Sequence, residues 1–140
     1  MTPDALAAIH ADAMEVPGPW TAKDFTDLIA APGTFLVPHP STNGFALGRV
    51  VADEAELLTL AVSPTARRRG LGRWCHDTFE AEAQNRGAKT AHLEVAATND
   101  AARALYEGNG WRQVGTRRGY YRTADGRTDA ILMQKPLTSL

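Results

Sequence analysis

Residues 62–72 read Val-Ser-Pro-Thr-Ala-Arg-Arg-Arg-Gly-Leu-Gly. Three arginines lead into Gly70-Leu71-Gly72, behind an apolar run with strand character and ahead of residues with helical spacing. A strand, a glycine turn and a helix in that order can hold an anion. The N–H groups of a helix's first turn have no partner inside the helix. The aligned peptide dipoles place roughly half a positive charge at the same end, and phosphate binds there readily. Gly70 and Gly72 lack Cβ, so a ligand can come close to the backbone. The segment is not a Walker loop, which needs Gly-Lys-Ser/Thr, nor the Gly-x-Gly-x-x-Gly fingerprint of dinucleotide sites. The residues alone leave two readings open: a solvated basic run, or a seat for a phosphate-bearing ligand.

The elements that would position this loop follow from periodicity and punctuation. Thr2-Pro3 starts a short helix, with Thr as cap and Pro in the first turn; Val16-Pro17-Gly18-Pro19 breaks it. Thr21 and Asp24 form a capping box for a second helix, stopped by Pro32-Gly33. Thr34–Val37 is a short strand. Phe45–Val51 and Glu54–Val62 read as a hairpin around Ala52-Asp53, and the near-continuous apolar run of the second suggests a strand covered on both faces. Gly70–Arg86 is a helix, with Leu71, Trp74, Cys75, Thr78, Phe79 and Ala83 expected on its buried side. Arg73, Asp77, Glu80 and Arg86 are expected on the outer side, and His76 is expected to be exposed. Gly87 ends that helix. Thr90–Ala97 is a strand on which Leu93 and Val95 alternate with His92 and Glu94. Asn99 or Asp100 caps a short helix, Ala101–Glu107, and Trp111–Arg118 and Ala130–Lys135 are two last strands around a polar loop. The order α-α-β-β-β-α-β-α-β-β implies an α/β or α+β domain spanning residues 1–140, with strands of mixed direction.

Bulk properties narrow the classes of function. The chain has 140 residues, one domain's worth, and a net charge of −1 from 15 basic and 16 acidic residues. That balance argues against a general nucleic-acid binder. No run approaches the about 20 apolar residues needed to cross a bilayer, and the acid-containing start is not expected to act as a signal peptide. One cysteine and four scattered histidines give neither a disulfide framework nor metal-ligand spacing. The expected compartment is a reducing cytoplasm.

Three motifs then converge. Val62, Pro64, Arg67, Gly70 and Gly72 fit V-x-P-x-x-R-x-x-G-x-G, which resembles the acetyl-CoA loop of GNAT-fold N-acetyltransferases. Residues 93–111, Leu-Glu-Val through Asn99 and Leu105-Tyr106 to Trp111, resemble a second GNAT segment. Residues 117–133, Arg-Arg-Gly-Tyr-Tyr through Asp125-Gly126 to Met133, are similar to the C-terminal stretch of the RimI group, the ribosomal-protein alanine N-acetyltransferases. The resemblance implies a central mixed, mostly antiparallel sheet flanked by about four helices. It also implies acetyl-CoA as cosubstrate without a metal, and the N-terminus of a protein, a small-subunit ribosomal protein, as acceptor, with no membrane and no direct nucleic-acid contact.

By that resemblance, backbone amides of Arg67, Arg68, Arg69, Gly70, Leu71, Gly72 and Arg73 grip the coenzyme pyrophosphate. The strand Leu60-Ala61-Val62 pairs with the pantetheine arm, with the Val62 amide polarising the thioester carbonyl. Asn99 matches a coenzyme contact and can also cap its helix. Glu94 matches the general base that takes the amine proton directly or through water. Tyr106 matches the acid that protonates the departing thiolate. Arg117, Arg118, Tyr120 and Tyr121 match the peptide entrance. An α-amine, with a reference pKa of about 7.7–8.0 against about 10.4 for lysine, asks less of such a base. Cys75 is expected in the core, since direct transfer needs no acyl-enzyme.

The chain departs from the family pattern at Ala96, where Arg commonly follows Glu-Val, at Trp74 in place of a smaller aliphatic residue, and at Thr98 in place of Ser. The loss of the Arg bears on peptide selection. Two rivals follow: a GNAT enzyme for lysine side chains or small amines, and a non-catalytic coenzyme A-binding or ribosome-associated module. The presence of Glu94 and Tyr106 weighs against the second.

Overall fold

The computed structural model describes residues 1–14, 18–67 and 69–137; Arg68 and the Val16-Pro17 part of the helix break lie outside them. Helix α1 (Pro3–Ala13) is capped by Thr2, whose Oγ1 accepts from Ala5 N at 3.1 Å. Helix α2 (Ala22–Ala30) carries the expected capping box, Asp24 N to Thr21 Oγ1 at 3.1 Å and Thr21 N to Asp24 Oδ2 at 2.9 Å. Strands β1 (Thr34–Pro38), β2 (Gly44–Val51) and β3 (Glu54–Val62) follow, then a 3₁₀ turn at Pro64–Ala66 and helix α3 (Leu71–Asn85). The chain finishes with β4 (Thr90–Ala96), α4 (Asp100–Gly108), β5 (Arg112–Thr123) and β6 (Gly126–Pro136). The element order read from the sequence is the one observed.

The six strands form one sheet in the order β1-β2-β3-β4-β6-β5. Every neighbouring pair is antiparallel except β3 and β4. Alternation along each strand divides the core between two faces. Phe45, Leu47 and Ala61 join Leu6, Ile9 and Phe25 under α1 and α2. Phe35, Ala46, Leu57, Leu93 and Val95 join Cys75 and Phe79 of α3 and Tyr106 of α4 on the other face.

The parallel pair stays together only briefly. Glu54, Ala55 and Glu56 register with Thr90, Ala91 and His92, and beyond that the strands carry no pairing. A bulge explains where they part. Leu47 faces Thr59 and Gly48 faces Leu57, which leaves Leu58 as the extra residue. A bulge bends its strand and raises its twist, so β3 turns away from β4 one turn of the pleat after Glu56. The bulge shows in the faces: Leu58 packs with the α1–α2 cluster and the next residue, Thr59, reaches His10 on the same side, where strict alternation would have turned it away.

Two expectations need correction. On α3, Trp74 is 38% exposed, whereas His76 is fully buried. Trp111 supplies the reason: its Nε1–H, which can only donate, lies 2.8 Å from His76 Nε2. Glu80 Oε1 also stands 3.0 Å from His76 Nε2, and the other ring nitrogen, Nδ1, lies 2.9 Å from Asp77 Oδ1. Glu80, expected to face away, turns inward to Lys135, Oε1 to Nζ 2.5 Å. A polar helix position becomes a core position when the next segment brings it a partner. The second correction concerns residues 119–129, read as a polar loop. They are mostly strand, with the β5–β6 hairpin closing at Ala124-Asp125. β5 is an edge strand exposed along most of its length, so neither face shows an apolar stripe. A register shift between Arg117 and Tyr121 further hides the period. At that shift Gly119 takes a φ of +58° and its N–H donates to Asp129 Oδ1 at 2.8 Å.

Candidate functional site

The gap between β3 and β4 is a cleft of about 660 Å³ on the side of α3 and α4. Its walls include Leu60, Ala61 and Val62 of β3, Arg67, Gly70 and Gly72, Asn99, Leu105 and Tyr106, with Asp12, Ala13 and Met14 at the end of α1. The β3 wall offers free main chain. Ser63 N donates to Asn43 O, and Gly44 O is taken by His39 N, on the far side of β2. Since Val62 registers with Gly44, alternation along the strand turns the N–H and C=O of Leu60 and Val62 away from β2 and into the cleft.

The other end of the cleft is the start of α3. Gly70 takes a left-handed φ of +76° as the capping residue, and no side chain caps this helix end. The first intrahelical bond is Trp74 N to Gly70 O. The N–H groups of Leu71, Gly72 and Arg73 therefore have no protein acceptor among the described residues. A Cβ at Gly72 would stand 3.7 Å from Leu105 Cδ2 and 3.8 Å from Val62 Cγ2, both lining the cleft. Its bare Cα is thus part of the cleft wall.

A second cavity of about 300 Å³ lies on the side of α1 and α2. It is lined by His10, Trp20, Leu28, Leu58, Thr59, Glu94, Tyr120 and Tyr121 among others. Leu60, Asn99, Ala102, Tyr106 and Met14 line both spaces, so the cavities meet at these residues. Glu94 opens onto the second cavity, and its Oε1 is 3.5 Å from Arg117 Nε. Arg117 also sits over the Tyr120 ring at 5.2 Å. Tyr121 is pushed up to about 12, by burial first and by the nearby Glu94 charge second. Tyr106 is raised as well, by burial, and its hydroxyl has no protein hydrogen-bond partner among the described residues. Its ring packs 5.9 Å from that of Trp111.

The structure thus brings together most of the residues singled out above. Asn99 caps α4, Oδ1 accepting from Ala102 N at 3.2 Å, while lining both cavities. Arg67 lines the cleft and leans on Ala13 O at 3.4 Å. Arg69 and Arg73 do not line it, and Arg73 pairs instead with Asp77 at 3.7 Å. Arg118 is exposed and lines neither cavity; only Tyr120 and Tyr121 of that group do. Among the described residues no cluster could hold a metal ion, and no helix is long and apolar enough to cross a membrane.

His10, Trp20 and Thr59 were not found from the sequence. A signal existed for two of them. His10 stands in the apolar stripe Leu6-Ile9-His10-Ala13 of α1, and Thr59 is the polar residue inside an otherwise apolar strand run.

Comparison with known proteins agrees with this geometry. The sequence model described as the Acetyltransferase (GNAT) family matches residues 6–111. The [ribosomal protein bS18]-alanine N-acetyltransferase of Escherichia coli K12 is 40% identical over 141 residues, covering 98% of this chain and 94% of that protein. The N-alpha-acetyltransferase RimI of Mycobacterium tuberculosis is 36% identical over 124 residues, 84% of this chain and 75% of that one. Among solved structures, the Escherichia coli ribosomal-protein-S18-alanine N-acetyltransferase matches with a TM-score of 0.86 at 37% identity, covering 99% of this chain and 89% of that chain.

Proposed function

The chain belongs to the GNAT acetyltransferase family and is an acetyl-CoA-dependent N-acetyltransferase, and we propose that its acceptor is the α-amino group of an N-terminal alanine on a small-subunit ribosomal protein. The observation that carries this reading is the junction of the two cavities. One offers unpaired main-chain amides to a phosphate-bearing chain, the other offers a carboxylate among aromatic side chains, and Tyr106 stands between them. The relatives named for alanine acetylation span nearly the whole chain and so include both cavities. A ribosomal acceptor places the reaction in the cytoplasm, with the catalytic domain running over residues 1–140 and no membrane or nucleic-acid contact required.

Acetyl-CoA supplies the acyl group and the leaving thiol. The free N–H groups of Leu71, Gly72 and Arg73 fit its pyrophosphate, because helix-end amides are positive donors with no competing acceptor. The amides of Leu60 and Val62 face the cleft as a pantetheine-pairing edge. Leu60 lines both cavities and Val62 only the larger one. The amide nearest the acyl carbonyl is therefore assigned to Leu60 instead of Val62, the residue the resemblance implied, with Val62 nearer the phosphates. Glu94 takes the proton of the attacking amine, directly or through one water. Tyr106 is protonated at every physiological pH, since burial raises it further, and it gives its proton to the departing sulfur. Tyr120 and Tyr121 line the acceptor's entrance.

The test is direct. The protein is incubated with acetyl-CoA and two peptides, one with a free N-terminal Ala and one with a blocked N-terminus and an internal Lys. Intact mass should show acetylation of the first. Transfer to the second alone would replace the α-amine by a lysine acceptor, and transfer to neither would end the peptide reading.

A further inference from the structure

Thr59 interrupts the apolar run Leu57–Val62, and its surroundings fix where its proton points. The residue is 7% exposed and lines the smaller cavity. Its partner is His10, 1% exposed, stacked on Trp20 with centroids 4.9 Å apart and edge-on to Phe25 at 5.5 Å. The Trp20 main-chain N–H can only donate, and it lies 3.0 Å from His10 Nδ1. That nitrogen must carry a lone pair. Burial lowers the imidazole to about 4, so the ring is neutral at pH 7. A neutral ring with a bare Nδ1 keeps its proton on Nε2, which donates to Thr59 Oγ1 at 3.1 Å. The hydroxyl thus already accepts a bond, and its own O–H must seek another acceptor. No protein acceptor answers it among the described residues, and the space beside it is the acceptor cavity.

We propose that the Thr59 hydroxyl, oriented by His10, donates a hydrogen bond to the carbonyl oxygen of the acceptor's first peptide bond, and so favours α-amines over lysine side chains. The donor suits a carbonyl better than the amine, whose lone pair must stay free to attack. In an N-terminal residue that carbonyl oxygen stands three bonds from the attacking nitrogen. Around a lysine ε-amine there are only methylenes, which would leave a buried donor unpaired. Sites that reject a substrate for lacking a hydrogen-bonding group discriminate far better than those that reject one for size. His10 is a positioning residue here, because it acts through the bond it gives Thr59.

The assignment rests on the α-amine reading, and the experiment separates the two. The acceptors are an N-terminal Ala peptide and its analogue in which an alkene replaces the first peptide bond. The wild-type enzyme should prefer the amide by about tenfold in kcat/KM, the size of one neutral hydrogen bond. Thr59→Val should lose about that factor on the amide and nothing on the alkene. Thr59→Ser should restore the preference, and coenzyme affinity should stay unchanged throughout. His10→Phe should lose the same factor, with no further loss when combined with Thr59→Val. Transfer to the peptide without preference for the amide, or equal losses on both acceptors, overturns the role of Thr59 alone. No transfer to the peptide by the wild-type enzyme overturns the α-amine reading and this assignment together.

Discussion

The two cavities are built from different material. The larger one offers free main chain: the unpaired edge of β3 beyond the bulge and the open amides at the start of α3. The smaller one brings polar and aromatic side chains together from separate elements: His10 of α1, Trp20 before α2, Thr59 of β3, Glu94 of β4, Tyr106 of α4 and Tyr121 of β5. A ligand that offers phosphates can be held by amides, and amides need only glycine and the right turn. An acceptor that must be told apart from other amines needs hydroxyls, carboxylates and rings at fixed points. The first kind of site leaves a contiguous pattern in the chain, whereas the second leaves one only in space.

The sharpest way to separate them is to remove the base. Glu94→Gln keeps the shape of the smaller cavity and takes away the proton acceptor. Turnover should fall by about 10²–10⁴-fold, the usual range for one general base, while the dissociation constant of coenzyme A, measured by calorimetry, stays the same. Tyr106→Phe should cut turnover by about 10²-fold, and because Tyr106 stands at the junction, its effect should depend on the leaving thiol. A loss of coenzyme affinity in Glu94→Gln would mean that the two cavities are not independent.

This division also accounts for what the sequence could reveal. The glycine loop after Val62, the Leu-Glu-Val strand and the Leu105-Tyr106 pair are local strings; Val62, Gly70, Gly72, Leu105 and Tyr106 line the larger cleft and Glu94 the smaller one. The capping box at Thr21 and Asp24 is local in the same way. His76 failed because its burial depends on Trp111, which reaches it from a distant part of the chain. The extension of β5 and β6 failed because an edge strand with polar residues on both faces has no period to read. Thr59 and His10 meet through the packing of α1 on β3, and nothing near either residue announces the other.

On the coenzyme side the decisive change is Gly72→Val. The new side chain would point at Leu105, Val62 and Leu60 and fill the cleft beside the free amides. Coenzyme affinity should drop by more than about tenfold, the loss of one or two charge-assisted hydrogen bonds. Acceptor selectivity at saturating coenzyme should not change. Arg68→Ala should weaken coenzyme binding less than Gly72→Val does; the reverse order would return the grip to the arginine side chains.

A milder probe of the acceptor side is pH. His10 is buried and its value is lowered to about 4 from an ordinary 6.5. Below pH 6.5 the unfolded chain binds a proton that the folded one refuses. Stability is therefore complete above 6.5 and is lost as pH falls toward 4. The loss is on the order of 3 kcal/mol by the lower end of that range. Melting temperature against pH should show this slope, and His10→Gln should flatten it. As pH falls to about 4 the KM for peptide should rise before the coenzyme dissociation constant does, since His10 braces Trp20 and Thr59 and lies on the α1–α2 face.

The smallest expected effect is the most informative about the opening loop. Arg73 contributes its backbone N–H to the start of α3, yet its side chain is 73% exposed and leans on Asp77 at 3.7 Å. An ion pair in that position is worth about 0–1 kcal/mol. Arg73→Ala retains the amide and, being a good helix former, the geometry of the first turn. Coenzyme affinity should thus change by no more than about twofold and should keep its dependence on salt, within the range of surface substitutions. A large loss would mean that this guanidinium swings from Asp77 to the bound phosphates. The main chain would then share its role with a side chain, and the contrast between the two cavities would narrow to one of degree.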